Sequence, residues 1–252
     1  GRRLLRVRTQ CSLESQSIAH SDLHPRVQVG HPCRVTPPTL KHRFEDLPTI
    51  LPIFPLTGVL LLPGSRLPLN IFEPRYLQMV LWALAHDRLI GMIQPKQSSV
   101  IGEGELYKTG CAGRIISYQE TEDGRLLIVL EGATRFDITA EEATVDGFRR
   151  VQPNWSIYSA DMDSDATTEQ RAELLELVPR FFDAKGISAD WELVASSSDR
   201  ELVNTLALFC PFDPSEKQAL LEADTVDSRA KLLTTMMEMA MQEQEGQSRS
   251  KH

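Results

Sequence analysis

The most apolar stretch of the chain, Ile50–Tyr76, is also cut by Pro52, Pro55, Pro63, Pro68 and Pro74. An interior proline removes a helical hydrogen bond and clashes with the preceding turn, so no helix carries this pattern. The apolar runs between prolines are also too short to span a bilayer. Two short buried strands fit instead, about Leu51–Leu56 and Leu67–Phe72, joined by a loop that turns at Pro63-Gly64. The prolines then belong at strand starts and sheet edges. Pro74 suits the first position of a helix, where its missing amide has no partner to lose.

That helix is predicted over Pro74–His86, with Tyr76, Leu77, Val80, Leu81 and Leu84 on one face. Leu89–Ile93 reads as a short buried strand, and Gln94–Glu105 as a loop. Glu122-Asp123-Gly124 is a hairpin turn between strands at Gly110–Gln119 and Arg125–Thr139. The second of these is apolar on both faces, as expected inside a closed or sandwiched sheet. Gly132 marks a bulge in it. Phe148–Tyr158 is the expected closing strand, with Val151, Trp155 and Ile157 inward.

Beyond an acidic linker at Ala160–Ala166 the pattern turns helical. Thr167–Lys185 carries Leu174, Leu175, Val178 and Phe182 on one stripe, is bent at Pro179 and ends at Gly186. Ser198 or Asp199 caps a second helix, with Leu206 and Phe209 expected inside. Pro214 opens a third after the break Pro211-Phe212-Asp213. Asp224 or Thr225 precedes a last helix, about Val226–Gln242, which carries Met236, Met237, Met239 and Met241. Such a cluster either fills core or grips varied partners.

Several of these segments resemble one family. Leu51-Pro52-Ile53-Phe54-Pro55-Leu56, Leu62-Pro63-Gly64 and Leu67-Pro68-Leu69 look like the opening of the LON substrate-binding domain, the N-terminal domain of Lon proteases. Ile71-Phe72-Glu73-Pro74-Arg75-Tyr76 is closer to its stand-alone bacterial members. The strands around Gly110 and Glu131-Gly132, and the helical segments Glu201–Leu206 and Pro211–Glu222, continue the resemblance, which covers roughly residues 49–243. It implies an α+β fold, a small antiparallel PUA-like partial β-barrel followed by a compact helical bundle. We expect a β-rich part at 48–158, a linker at 159–165 and a helical part at 166–243. A disordered basic tail (1–47) and a polar end (244–252) would flank them.

Charge narrows the function classes. The chain carries a formal −8 over its 252 residues. Residues 1–44 hold eight basic side chains against Glu14 and Asp22, a balance of +6, which leaves −14 on the remainder. Phosphate binding needs Lys and Arg, and only Arg149-Arg150 forms a basic doublet in that remainder, so RNA binding stands as the alternative reading. Cys11, Cys33, Cys111 and Cys210 have neither disulfide-framework nor zinc spacing, and free thiols point to a reducing compartment. The expected location is cytoplasmic; an Arg-rich, Ser-bearing start would make it an organelle if it is a transit peptide.

No P-loop, Gly-x-Ser-x-Gly elbow or His-Glu-x-x-His motif is present. No cofactor, metal or catalytic residue is expected, and the chain reads as a non-enzymatic protein- or peptide-binding module. Its implied partner is unfolded or client polypeptide, with a protease acting in trans; membrane and nucleic acid are not expected. Leu60 or Leu61, in an unusually apolar loop, should remain accessible to a client. Glu73 and Arg75 either anchor a peptide or form a structural pair at the helix N-terminus. Trp155, in a groove between sheet and bundle, is the further candidate.

Overall fold

The computed structural model describes residues 44–96, 104–162, 166–187, 194 and 196–249. Six strands form one sheet: β1 (Leu51–Pro55), β2 (Arg66–Ile71), β3 (Leu89–Ile93), β4 (Thr109–Glu120), β5 (Leu126–Val145) and β6 (Phe148–Asn154). Their order is β2-β5-β4-β3-β1-β6, and β6 also pairs with β5, which closes a partial barrel. The long β5 makes this possible. Its first half pairs with β2, Arg66 opposite Glu131 through Ile71 opposite Leu126. Its second half pairs with β6.

All pairs are antiparallel except β1 with β3, which run parallel because β2 and helix α1 (Pro74–Ala85) lie between them in the chain. β1 is internal rather than an edge, flanked by β3 and β6. Its interior position follows from burial on both faces, with Leu51 and Ile53 on one side and Phe54 on the other. β2, expected to be buried, is exposed at alternate residues and is a true edge, with Pro68 in it.

The hairpin between β4 and β5 turns at Asp123-Gly124, where Gly124 has φ +77°. The Gly132 bulge is present as a register shift opposite Ala112/Gly113. A Cβ on Gly132 would lie 2.1 Å from the Leu62 carbonyl oxygen, so the close approach of the 57–63 loop requires glycine there. β5 is not apolar-buried on both faces: Leu126, Ile128 and Leu130 are inside, while Leu127 is exposed.

Two cores lie on opposite faces of the sheet. The smaller fills the barrel with Leu51, Ile53, Leu89, Ile93, Ala112, Phe136 and Val151. The larger lies between the other face, α1, the 57–63 loop and the helices α2 (Arg171–Lys185), α3 (Asp199–Phe209), α4 (Pro214–Glu222) and α5 (Val226–Arg249). In α1 the buried residues are Tyr76, Met79, Val80 and Ala83, and Leu81 of the expected face is exposed. α2 ends on Gly186 in the left-handed region, as its sequence indicates. Ser198 and Asp213 each cap a helix with a reciprocal box, closed by Glu201 and Glu216. Phe209, expected inside, is exposed because α3 ends there and buries Cys210 instead. Met237 is core and Met239 is exposed on α5, which extends past the expected Gln242.

Barrel and helices belong to one compact unit, Lys41–His252. Polar side chains fasten them. The Gln94 amide donates to the Pro214 carbonyl at 3.0 Å, and Asn204 donates to the Pro63 carbonyl at 2.8 Å. Gln218 reaches the Thr109 carbonyl at 3.1 Å. No helix among the described residues is long and apolar enough to cross a membrane.

Candidate functional site

The residues expected to meet a partner do not form one surface. Leu60 and Leu61 are 3% and 1% exposed. Their loop is pulled onto the sheet: Lys217 Nζ donates to the Gly58 carbonyl at 2.9 Å, and the Gly58 amide donates to Gln94 Oε1 at 3.0 Å. Leu61 lies over Gly113, where a Cβ would come within 2.6 Å of Leu61 Cδ2. The expectation that either leucine remains accessible is therefore corrected, because the bare glycine surface beneath the loop takes up the side chains.

Glu73 and Arg75 pair with each other at 2.9 Å, and the Arg75 guanidinium lies 4.6 Å from the centre of the Tyr76 ring. The Trp155 indole donates to the Pro48 carbonyl at 2.9 Å and meets Phe136 edge-on. Arg75 packs by Gly147, just before β6, and Trp155 follows the end of β6. At about 3.3 Å per residue the eight steps from Gly147 to Trp155 span about 26 Å. Ile157, expected inward, is exposed: β6 ends at Asn154, whose carboxamide oxygen accepts from the Ser156 amide and hydroxyl and turns the chain.

An uncovered surface exists elsewhere. On β2, β5 and β4 the face turned away from the helices carries Arg66, Pro68 and Asn70, then Leu127, Val129 and Glu131, then Arg114, Ser117 and Gln119. Phe72 extends the β2 row and is 62% exposed; Leu127 is 41% exposed, and Ile116 at the β4 irregularity also faces solvent. Pro68, Asn70, Ser117, Gln119, Leu127 and Val129 line a shallow groove of about 380 Å³. Beside it runs the open edge of β2. Ser65 accepts from the Gly132 amide, which sets the odd residues of β2 against β5. The backbone groups of Arg66, Pro68 and Asn70 consequently point out from the edge.

The ends of this face differ in charge. Arg66 pairs with Glu131 at 3.5 Å, and Arg114 sits across from Glu131 on β4. Glu131 is thus paired with Arg66 and is the cross-strand neighbour of Arg114. Arg114 Nη2 is buried with no hydrogen-bond partner among the described residues, and burial lowers the Arg114 pKa. At the hairpin end Glu120, Glu122 and Asp123 outnumber Arg125, which pairs with Asp123 at 2.7 Å.

The most enzyme-like cluster is Asp137. Its carboxylate accepts from Thr109 at 2.8 Å and Tyr158 at 2.9 Å, and pairs with Lys108 at 3.0 Å. Burial pushes its pKa up, but these donors outweigh that and hold it below the ordinary range. A carboxylate so saturated is a weak base and serves to join strand to loop. Cys111 and Cys210 are buried free thiols. No group of acidic, His and Cys side chains among the described residues could hold a metal ion. The Arg149-Arg150 doublet is engaged, by Glu141 and the Gly104 carbonyl and by the Ala143 carbonyl.

The β2 face escaped sequence reasoning, although a signal existed. Arg66-Leu67-Pro68-Leu69-Asn70-Ile71 alternates polar or proline with apolar, the mark of a strand covered on one side only.

The described residues thus form a sheet of this order, packed on a helical bundle, with an open edge at β2 and an exposed apolar face beside it. The family model for the ATP-dependent protease La (LON) substrate-binding domain matches residues 50–239, and the chain belongs to this family. Among curated relatives it is similar to Lon protease of Cytophaga hutchinsonii, 24% identical over 209 residues, covering 79% of this chain and 25% of that protein. Lon protease 2 of Myxococcus xanthus is 26% identical over 215 residues, covering 82% and 25%. The chain thus spans about a quarter of the length of these relatives. In solved structures it resembles a Lon N-terminal domain protein from Xanthomonas campestris, at TM-score 0.55 and 24% identity, covering 74% of this chain and 98% of that one. The N-terminal domain of Mycobacterium avium complex Lon protease has the same TM-score at 18% identity, covering 75% and 98%.

Proposed function

We propose that this domain captures unfolded or client polypeptide by weak, mainly apolar contact and holds it for a proteolytic partner, without cutting bonds itself. The observation that carries this is the exposed pair Phe72 and Leu127 on an uncovered sheet face beside the open edge of β2. Grouped apolar side chains of this kind mark partner sites, and an extended chain adds to such an edge through its backbone. Buried, unpaired Cys111 and Cys210 agree with a reducing, cytoplasmic setting. The engaged Arg149-Arg150 doublet weighs against the RNA alternative.

The test is retention of a denatured, labelled protein by the purified chain and by a Leu127→Asp variant. Because Leu127 is exposed, that change should shift stability by only about 0.5 kcal/mol. Weaker retention at unchanged melting temperature supports the site. Equal retention by both proteins would move the site elsewhere. No retention by the parent would remove the capture function.

A further inference from the structure

We propose that Pro68 sets what the open β2 edge accepts: it turns away a second copy of this chain more strongly than it turns away a client strand. The selectivity for a client rests on the capture reading above; the bar to self-pairing stands without it.

An open edge is a template for any other strand, those of its own copies included. This one has little else to guard it. β2 runs 6 residues in unbroken register with β5, so no bulge bends it away. Phe72 and Leu127 add exposed apolar surface beside it. The one charged side chain of the strand is Arg66, and it is paired with Glu131 at 3.5 Å. The remaining device is the proline.

Pro68 sits where it disturbs an added strand and nothing else. The odd residues of β2 bond to β5, so residue 68 owes no N–H to the sheet. Its nitrogen points out of the edge, between the outward amides of Arg66 and Asn70. An added strand meets ring carbon there in place of the middle donor of that row.

The lost bonds separate the two occupants. A client strand without proline forgoes one, the bond from residue 68. A second copy brings its own Pro68. With the two prolines opposite each other both central bonds are missing, and with each opposite Asn70 of the other copy each proline still removes one. A missing bond weakens association about fivefold, and two weaken it about thirtyfold.

The test restores the donor in the full chain. Pro68→Val should melt close to the parent, because no bond to β5 changes and the position is exposed. Sedimentation equilibrium should show self-association about thirtyfold tighter than the parent's. Adding Asn70→Pro, at a position whose N–H also points outward, should weaken it again. Pro68→Ala restores the same N–H with less bulk and is read in the same way if Pro68→Val lowers the melting temperature. Self-association of both variants at the parent's level would overturn the proposal, as would association that Asn70→Pro leaves untouched. Retention of labelled, reduced and alkylated α-lactalbumin, measured where the variant is monomeric, should tighten only about fivefold. A gain as large as that in self-association, or no gain, would overturn the selectivity. No retention by parent or variant would sink the capture reading, and the sedimentation result alone would then decide the bar to self-pairing.

Discussion

The Arg135 guanidinium and the Asp161 carboxylate form a two-pronged ion pair, Nε and Nη2 each 2.8 Å from a carboxylate oxygen. Both side chains are nearly inaccessible, and the Arg135 amide donates to the same carboxylate at 3.0 Å. The remaining guanidinium protons reach the carbonyls of Leu221, Ala223 and Asp224 at the end of α4. Arg229 adds donors to Leu220 and Ala223, its pKa lowered to about 10 by burial and by the like charge of Arg135. One side chain of β5 thereby ties the barrel to the helices and to the 3-10 segment Ser156–Met162. The stretch expected to be a polar linker is, at Asp161, part of this lock.

Removing one partner leaves the other charge buried and unpaired, which typically destabilises by about 3–5 kcal/mol. Asp161→Asn and Arg135→Met should each lower the unfolding free energy measured in urea by that order. The double change Arg135→Met with Asp161→Asn should be milder than the sum. Strict additivity of the two losses would mean the pair does not act as a unit.

The apolar loop gives a second contrast. Leu61→Ala should destabilise by about 2–5 kcal/mol, as for other buried leucines. Gly132→Ala should also destabilise, since its Cβ collides with the Leu62 carbonyl, backbone that cannot step aside. Leu127→Asp should leave the melting temperature near the parent's. If Leu61→Ala melts like the parent, the loop is not seated on the sheet.

Local signals were legible in the sequence, and long-range ones were not. Asp123-Gly124 marked the hairpin because a turn is decided by its own residues. Ser198 or Asp199 marked a helix start for the same reason, and the structure has Ser198 as the cap. Leu60 and Leu61 were misplaced because their burial depends on glycines at 113 and 132, far along the chain. Arg135 and Asp161 are separated by a strand and a turn, and no spacing rule pairs them. Of the candidate site, the edge proline and the alternation over Arg66–Ile71 were visible. Their union with Leu127 and Arg114 came only from strand order.

Thiol chemistry offers a third check. Burial pushes the Cys210 thiol up to about 12 and Cys111 above the ordinary thiol range as well. Thiolate is the reactive form, so at about pH 8 neither should be alkylated by iodoacetamide in the native protein. Both should label in urea. Peptide mapping of the alkylated protein reads this directly, and rapid native labelling of Cys111 would contradict its place beneath the helices.

The last prediction concerns acid. The folded pKa of Asp137 lies below its ordinary value, because donors from Lys108, Thr109 and Tyr158 outweigh the upward push of burial. Between the folded and unfolded values the unfolded chain binds more protons, so stability rises with pH there. The contribution is fully present above the unfolded value, about 4, and is lost as pH falls through the lower folded one. In Asp137→Asn the same three donors face a neutral amide, and this part of the pH dependence disappears. Urea unfolding at neutral pH and near pH 3 should show the parent losing more stability than the variant. Parallel losses in the two proteins would mean that Asp137 is not among the carboxylates that hold the fold against acid.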